Sequence, residues 1–229
     1  MNCVILQPSY IPWRGYFHQV RKADCFVFYD DVQYDKHGWR NRNRIKTPHG
    51  PQWLTIPARA AGNVEYRRTI QQIEIDWARP WNRTHLASLR QAYHRAPFYA
   101  AWEPFLNDVY GRQPSHLAPF TIDRTIELAR RLGISHTRFV RSSDLGVAGY
   151  RTDRLIAIVK HLGCDRYISG PSARGYLEEP RFADAGIALE YMQYDYPAYP
   201  QLYPPFDANV TILDLLFMTG PDAPKYIWG

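Results

Sequence analysis

The sequence predicts an α/β domain with a parallel sheet and a helical insertion, and three observations near its start and middle carry that prediction. A short apolar run, Val4 to Leu6, stops at Gln7-Pro8, and a turn rich in Gly, Pro and aromatic residues follows. An amphipathic stretch then leads to a second apolar run, Cys25 to Tyr29, which ends in Asp30-Asp31, so strand, helix and strand make one β-α-β unit. From Trp81 the apolar period lengthens to three and four residues before the α/β rhythm returns near Thr137.

Taken in order, Gln52 to Pro57 alternates as a strand, and Ile70 to Asp76 reads as a half-exposed strand. The polar stretch 59–68 between them, with Gly62, reads as a hairpin or loop. Leu86, Leu89, Ala92, Tyr93 and Ala96 lie on one face of a helix ended by Pro97, and Phe98 to Tyr110 repeats the pattern. Thr121 to Leu132 is a third helix, with Thr121 as cap and Gly133 as stop, which bounds the insertion at about residues 78–133. Thr137 to Val140, Arg166 to Ser169 and Ala188 to Met192 are strands, and Asp153 to Leu162 is a helix closed by Gly163. Asn209 caps a last apolar helix, expected to dock on the sheet. With no internal repeat or Gly/Ser linker, residues 1–229 read as one domain.

The 229 residues are 45% hydrophobic, enough for one sizeable core. No window approaches the ~20 apolar residues of a membrane span, and no signal peptide is legible, so a cytoplasmic protein is expected. Cys3, Cys25 and Cys164 are widely spaced beside strands and read as buried, reduced thiols. The +6 net charge suits either nucleic acid or a phosphate-rich substrate, and the 15% aromatic content suits a pocket that stacks a sugar or base.

Ligand sites in parallel sheets gather where loops leave the carboxyl ends of strands. Gln7 ends the first strand, and the loop after it carries Tyr10 before Gly15 opens the helix, whose free N–H groups suit a phosphate. At the second strand exit, Asp30 or Asp31 reads as a base, a Mg²⁺ ligand or a turn cap, with Gln33 beside them. Trp39 to Arg44 (WRNRNR) places Arg40, Arg42 and Arg44 on one face of an extended chain, with Trp39, Asn41 and Asn43 on the other. That cluster is either an anion site or a solvated edge. After the strand at Arg166, Ser169, Ser172 and Arg174 are placed to close over a phosphate. None of the eight histidines has metal-ligand spacing, and no P-loop, GxSxG or GxGxxG occurs, so no metal site is expected from the motifs.

At this point the motifs identify a relationship. QPSYIPWRGYF, FVFYDDVQY, GWRNRNRI, QAYHRAPFY, SSDL, YISG, YPQLYPPF and TILDLLFMTG together resemble the WbqC-like family of bacterial proteins, associated with O-antigen and other surface-polysaccharide gene clusters. The resemblance implies a glycyl or related acyl transferase acting on an amino sugar or nucleotide-linked amino sugar. A weaker similarity implies a Rossmann-like sheet of the HIGH-type nucleotidylyltransferase and pantothenate synthetase kind. It lies in RGYFHQVRKAD and SGPSARGYL, with Trp13 and Tyr16 standing where those enzymes carry histidines. Amide formation from a free carboxylate needs activation, so ATP with Mg²⁺, or an aminoacyl-tRNA as acyl donor, is implied. Asp31 and Asp30 are then the expected catalytic groups, and Gln7, Tyr10, Gly15, Gln33, Trp39, Arg42, Asn43, Ser169 and Arg174 the expected substrate contacts. An RNA- or tRNA-binding module using residues 39–44, or a non-catalytic scaffold, remains the alternative.

Overall fold

The computed structural model describes residues 1–59 and 68–229. Most of the expected hairpin or loop at 59–68 therefore lies outside the described residues. Five strands form an all-parallel sheet: β1 (Asn2–Leu6), β2 (Cys25–Phe28), β7 (Arg138–Arg141), β8 (Arg166–Ser169) and β9 (Ala188–Tyr191), in the spatial order β7-β2-β1-β8-β9. The chain thus winds outward from β1 through β2 to β7, then crosses to β8 and β9 on the other flank. The strand order reverses between β1 and β8, as in a Rossmann-like fold.

Alternation along these strands sorts the interior into two cores. Cys3, Ile5, Cys25, Val27 and Tyr167 face a layer made by α5 (Arg151–His161) and α6 (Glu179–Asp184). Val4, Phe26, Phe28 and Ile168 face α1 (Arg14–Lys22) and the long crossover. Because both faces are covered, β2 and all of β1 after Asn2 are apolar rather than alternating. Gly133 and Gly163 follow α4 (Leu117–Arg131) and α5 at φ +79° and +67°, a conformation that side chains with a Cβ rarely adopt, and they end those helices as the sequence implies. Cys3, Cys25 and Cys164 are free and buried.

The crossover from β2 to β7 holds the insertion. It contains the hairpin β3 (Arg42–Thr47) and β4 (Gly50–Thr55), the two-residue pair β5 (Ala58–Arg59) and β6 (Glu74–Ile75), and three helices: α2 (Trp81–Tyr93), α3 (Tyr99–Gly111) and α4 (Leu117–Arg131). Three local expectations are corrected. Ile70 to Asp76 is a 3₁₀ turn plus a two-residue strand, because Ile70, Ile73 and Ile75 are buried at spacings of three and two rather than alternating strictly. α4 starts at Leu117, whose N–H bonds the Ile73 carbonyl at 2.8 Å, while Thr121 lies inside the helix with its hydroxyl turned to the Leu117 carbonyl. The final helix, α7 (Ile212–Thr219), is capped by Thr211, not Asn209. It packs on the crossover helices rather than the sheet, with Phe217 against Tyr93, Tyr99 and Trp102. Buried Asp214 of α7 accepts hydrogen bonds from Tyr93, Tyr199 and Gln201, and burial pushes its carboxyl pKa up. No described helix is long and apolar enough to cross a membrane.

Candidate functional site

A cleft opens at the carboxyl ends of β1 and β8, where the strand order reverses. It has two adjoining chambers. The narrow one, about 410 Å³, is lined by the β1 exit (Leu6, Gln7, Ser9), by Trp13, Tyr16 and Gln19 at the start of α1, and by Tyr194. The wide one, about 810 Å³, is lined by Ile5, Tyr29, Leu155 and Tyr167 beneath Arg151 and Tyr176. Leu6, Gln7, Arg40 and Ser172 border both chambers.

The β1 exit builds the narrow chamber. Ile11 takes φ +36°, and the Asn43 amide clamps this bend by donating to the carbonyls of Tyr10 (3.1 Å) and Ile11 (2.7 Å). The bend drives Tyr10 inward and brings Trp13 across the start of α1. There the indole covers Gly15 so closely that a Cβ would stand 2.3 Å from the ring. No acid occupies the first turn of α1, and Trp13 supplies no side-chain cap. Arg14 turns away from the cleft. It donates to the carbonyls of Pro197 (2.8 Å) and Tyr226 (3.1 Å) and lies over Tyr196, which fastens the C-terminal segment carrying Tyr194.

Arg40 is the cation of the WRNRNR cluster that reaches the cleft. Its Nη1 donates to Gln7 Oε1 at 2.5 Å, its buried Nε has no protein partner, and burial lowers its pKa. The Gln19 amide, 4% exposed, donates from Nε2 to the Tyr194 hydroxyl at 2.7 Å and leaves Oε1 without a protein partner. Burial pushes the Tyr194 phenol up to about 12, so it stays protonated at neutral pH.

Of the residues expected to form one site, Gln7, Trp39 and Asn43 line the narrow chamber, and Gly15 lies under Trp13, which lines it too. Others are placed elsewhere. Tyr10 is a core residue, its hydroxyl bonded to Tyr110 (2.6 Å) and His85 (2.9 Å). Arg42 lies on the outer face of the hairpin, 4.5 Å over Trp53, because regular pairing begins at Arg42 and leaves Arg40 in the preceding bend free to turn inward. Gln33 is exposed and bridges to Thr69. Ser169 is buried at the end of β8, and Arg174 lies over Tyr191. The loop that follows β8 lines the cleft through Gly170, Pro171 and Ser172 instead.

The carboxylate pair divides. Asp30 is fully buried, with its oxygens taken by Arg141 (2.7 Å), Ser142 and both the N–H and hydroxyl of Ser143. It ties β2 to the end of β7, and a base or Mg²⁺ ligand needs a free lone pair that Asp30 lacks. Asp31 pairs with Arg154 and Ser142 and is partly exposed, while its neighbours Tyr29 and Val32 line the wide chamber. Among the described residues no group of three or more His, Cys, Asp or Glu is placed to hold a metal ion. Arg40, Gln19, Tyr194 and Ser172 are among the polar cleft residues outside the expected set. Arg40 and Ser172 were visible in their polar clusters, whereas Gln19 and Tyr194 carry no local signal.

Comparison with known proteins agrees with the motifs. The model of the WbqC-like protein family matches residues 7–226. The uncharacterized protein Rv1507c of Mycobacterium tuberculosis is 38% identical over 226 residues, which cover 97% of this chain and 96% of that one. No solved structure matches.

Proposed function

The chain belongs to the WbqC-like protein family, and from that membership and the cleft at the strand-order reversal we propose that it is a transferase that acylates a nucleotide-linked amino sugar, with a glycyl group as the acyl unit. The observation that carries this reading is the pair of chambers meeting at Arg40. A group-transfer enzyme must seat two reactants side by side, and a cation at the junction suits a phosphate they share a wall with. In the reaction the sugar amine attacks the activated acyl carbonyl, the amide C–N bond forms, the donor's leaving group departs, and the amine loses a proton. Asp31, beside the wide chamber, is the group proposed to accept that proton. The acyl group arrives activated, as an adenylate made with ATP and Mg²⁺ or as an aminoacyl-tRNA.

Thermal-shift titration with UDP- and dTDP-linked amino sugars, ATP and tRNA tests this. A sugar nucleotide should raise Tm in the parent protein, and Arg40→Ala should abolish the rise. If no sugar nucleotide moves Tm at millimolar concentration, the reading fails, and a rise with micromolar tRNA alone favours the second one below.

A second reading has its own observation. Trp39 and Trp53 are exposed, their rings 5.2 Å apart, with the Arg42 and Arg44 guanidiniums over them, a surface on which unpaired RNA bases stack. An RNA-binding module would bind tRNA with a steep salt dependence, about −0.7 in log K per phosphate neutralised, and would ignore sugar nucleotides.

A further inference from the structure

We infer that the narrow chamber seats the nucleoside end of the ligand, that Gln19 accepts a hydrogen bond from it, and that the phosphates lie at Arg40, leaving the wide chamber to the sugar. This assignment rests on the nucleotide-sugar reading above. It starts from Gln19 Oε1, an amide oxygen in a side chain that is only 4% exposed, lines the chamber and has no protein donor within reach. A buried acceptor left alone is costly, so the site is built for a donor that arrives with the ligand. A phosphate cannot be that group at neutral pH, because its oxygens are acceptors and would repel the amide oxygen. The partner is an N–H or O–H.

The same chamber also holds features of the opposite kind. Arg40 brings a positive charge and an Nε–H with no protein partner, and α1 starts without an acid or a side-chain cap. These favour an anion. A ligand meeting both demands carries an anionic end and, beyond it, a neutral part with donors. A nucleoside diphosphate has this make-up, with ribose hydroxyls and base N–H groups next to its phosphates. The rings of Trp13, Tyr16 and Tyr194 supply apolar walls for the neutral part. Since Arg40 borders both chambers, phosphates held there direct whatever they carry into the wide one, beneath Arg151 and Tyr176. Tyr194 fixes the amide: it occupies Nε2 and leaves Oε1 as the group open to a donor.

Calorimetric titration of the parent protein, Gln19→Leu, Tyr194→Phe and Arg40→Ala with UDP and with inorganic pyrophosphate, and of the parent also with dTDP and ADP, tests the assignment. Gln19→Leu should weaken UDP binding about tenfold or more and leave pyrophosphate unchanged. Arg40→Ala should weaken both. Tyr194→Phe frees the amide to rotate and should weaken UDP by a smaller factor, again sparing pyrophosphate; it supplies the test if Gln19→Leu fails to fold by circular dichroism. UDP binding at parental strength in both Gln19→Leu and Tyr194→Phe overturns the assignment and leaves the transferase reading standing. Equal loss of UDP and pyrophosphate in Gln19→Leu overturns it too, since the amide would then support the chamber and read nothing. A parent protein that binds none of UDP, dTDP and ADP overturns the assignment together with the reading beneath it.

Discussion

Asp30 and Asp31 stand side by side in sequence and have different work. Asp30→Ala removes the acceptor of Arg141 and Ser143, while Ser142 keeps Asp31, and should lower the unfolding free energy by about 2–4 kcal/mol, since the Arg141 side chain is a third exposed and partly rescued by water. Asp31→Asn keeps an amide oxygen of the same shape for Arg154 or Ser142 to donate to, and should cost less, about 1–1.5 kcal/mol. Urea unfolding of both variants checks this, and a loss for Asp30→Ala no larger than for Asp31→Asn would remove its anchoring role. At this scale the sequence was partly legible. Gln7 could be picked out because it ends an apolar strand, and Trp39 because it stands against the arginines. Arg40 could not be told from Arg42, since that depends on where β3 begins. Tyr10 looked like a pocket residue until the bend at Ile11 buried it. Gln19 faces the cleft only because the C-terminal segment brings Tyr194 to it from 175 residues away.

Among the elements, α1 carries the most of the site. Gly15 in its first turn makes room for the Trp13 indole, so Gly15→Ala should push the ring out of its place in the narrow chamber. Nucleotide affinity should fall several-fold while the far-ultraviolet dichroism stays unchanged, and tryptophan fluorescence should report the displaced ring. Parental affinity in Gly15→Ala would mean that Trp13 is not part of the binding surface. Helix periodicity and the stop glycines made the helices legible, and apolar runs made the sheet strands legible. The failures share a cause: distant parts of the chain supplied the partners that nearer ones were expected to supply. The Ile73 carbonyl took the first N–H of α4 in place of a cap at Thr121, and α7 found its apolar partners on the crossover helices, not the sheet.

For the whole molecule, buried histidine sets a pH dependence. His85 is held neutral by burial, its pKa pulled from 6.5 to about 4, with Tyr10 on one ring nitrogen. A histidine with a depressed folded pKa binds its proton more readily in the unfolded chain. Its contribution is therefore complete above about pH 6.5 and is lost as pH falls toward 4. Between pH 7 and 5 that loss is about 2 kcal/mol from His85 alone. His18, also lowered by burial, adds to the slope, whereas Asp214, raised by burial, opposes it. Denaturant unfolding at pH 7 and pH 5 should show a smaller difference in His85→Gln than in the parent, and an unchanged difference would assign the acid sensitivity elsewhere.

The sheet keeps its two cores apart, and the cleft straddles the boundary. Tyr16 and Tyr194, walls of the narrow chamber, belong with the packing on the α1 side; Ile5, Leu155, Tyr167 and Leu177, walls of the wide chamber, belong with the α5 and α6 side. Away from Val32 and the shared border of Leu6, Gln7, Arg40 and Ser172, a substitution in one wall is therefore relaxed by neighbours that the other wall does not share. This separation makes the two chambers independently evolvable: a lineage can exchange what the wide chamber accommodates, residue by residue, without surrendering the grip of the narrow one.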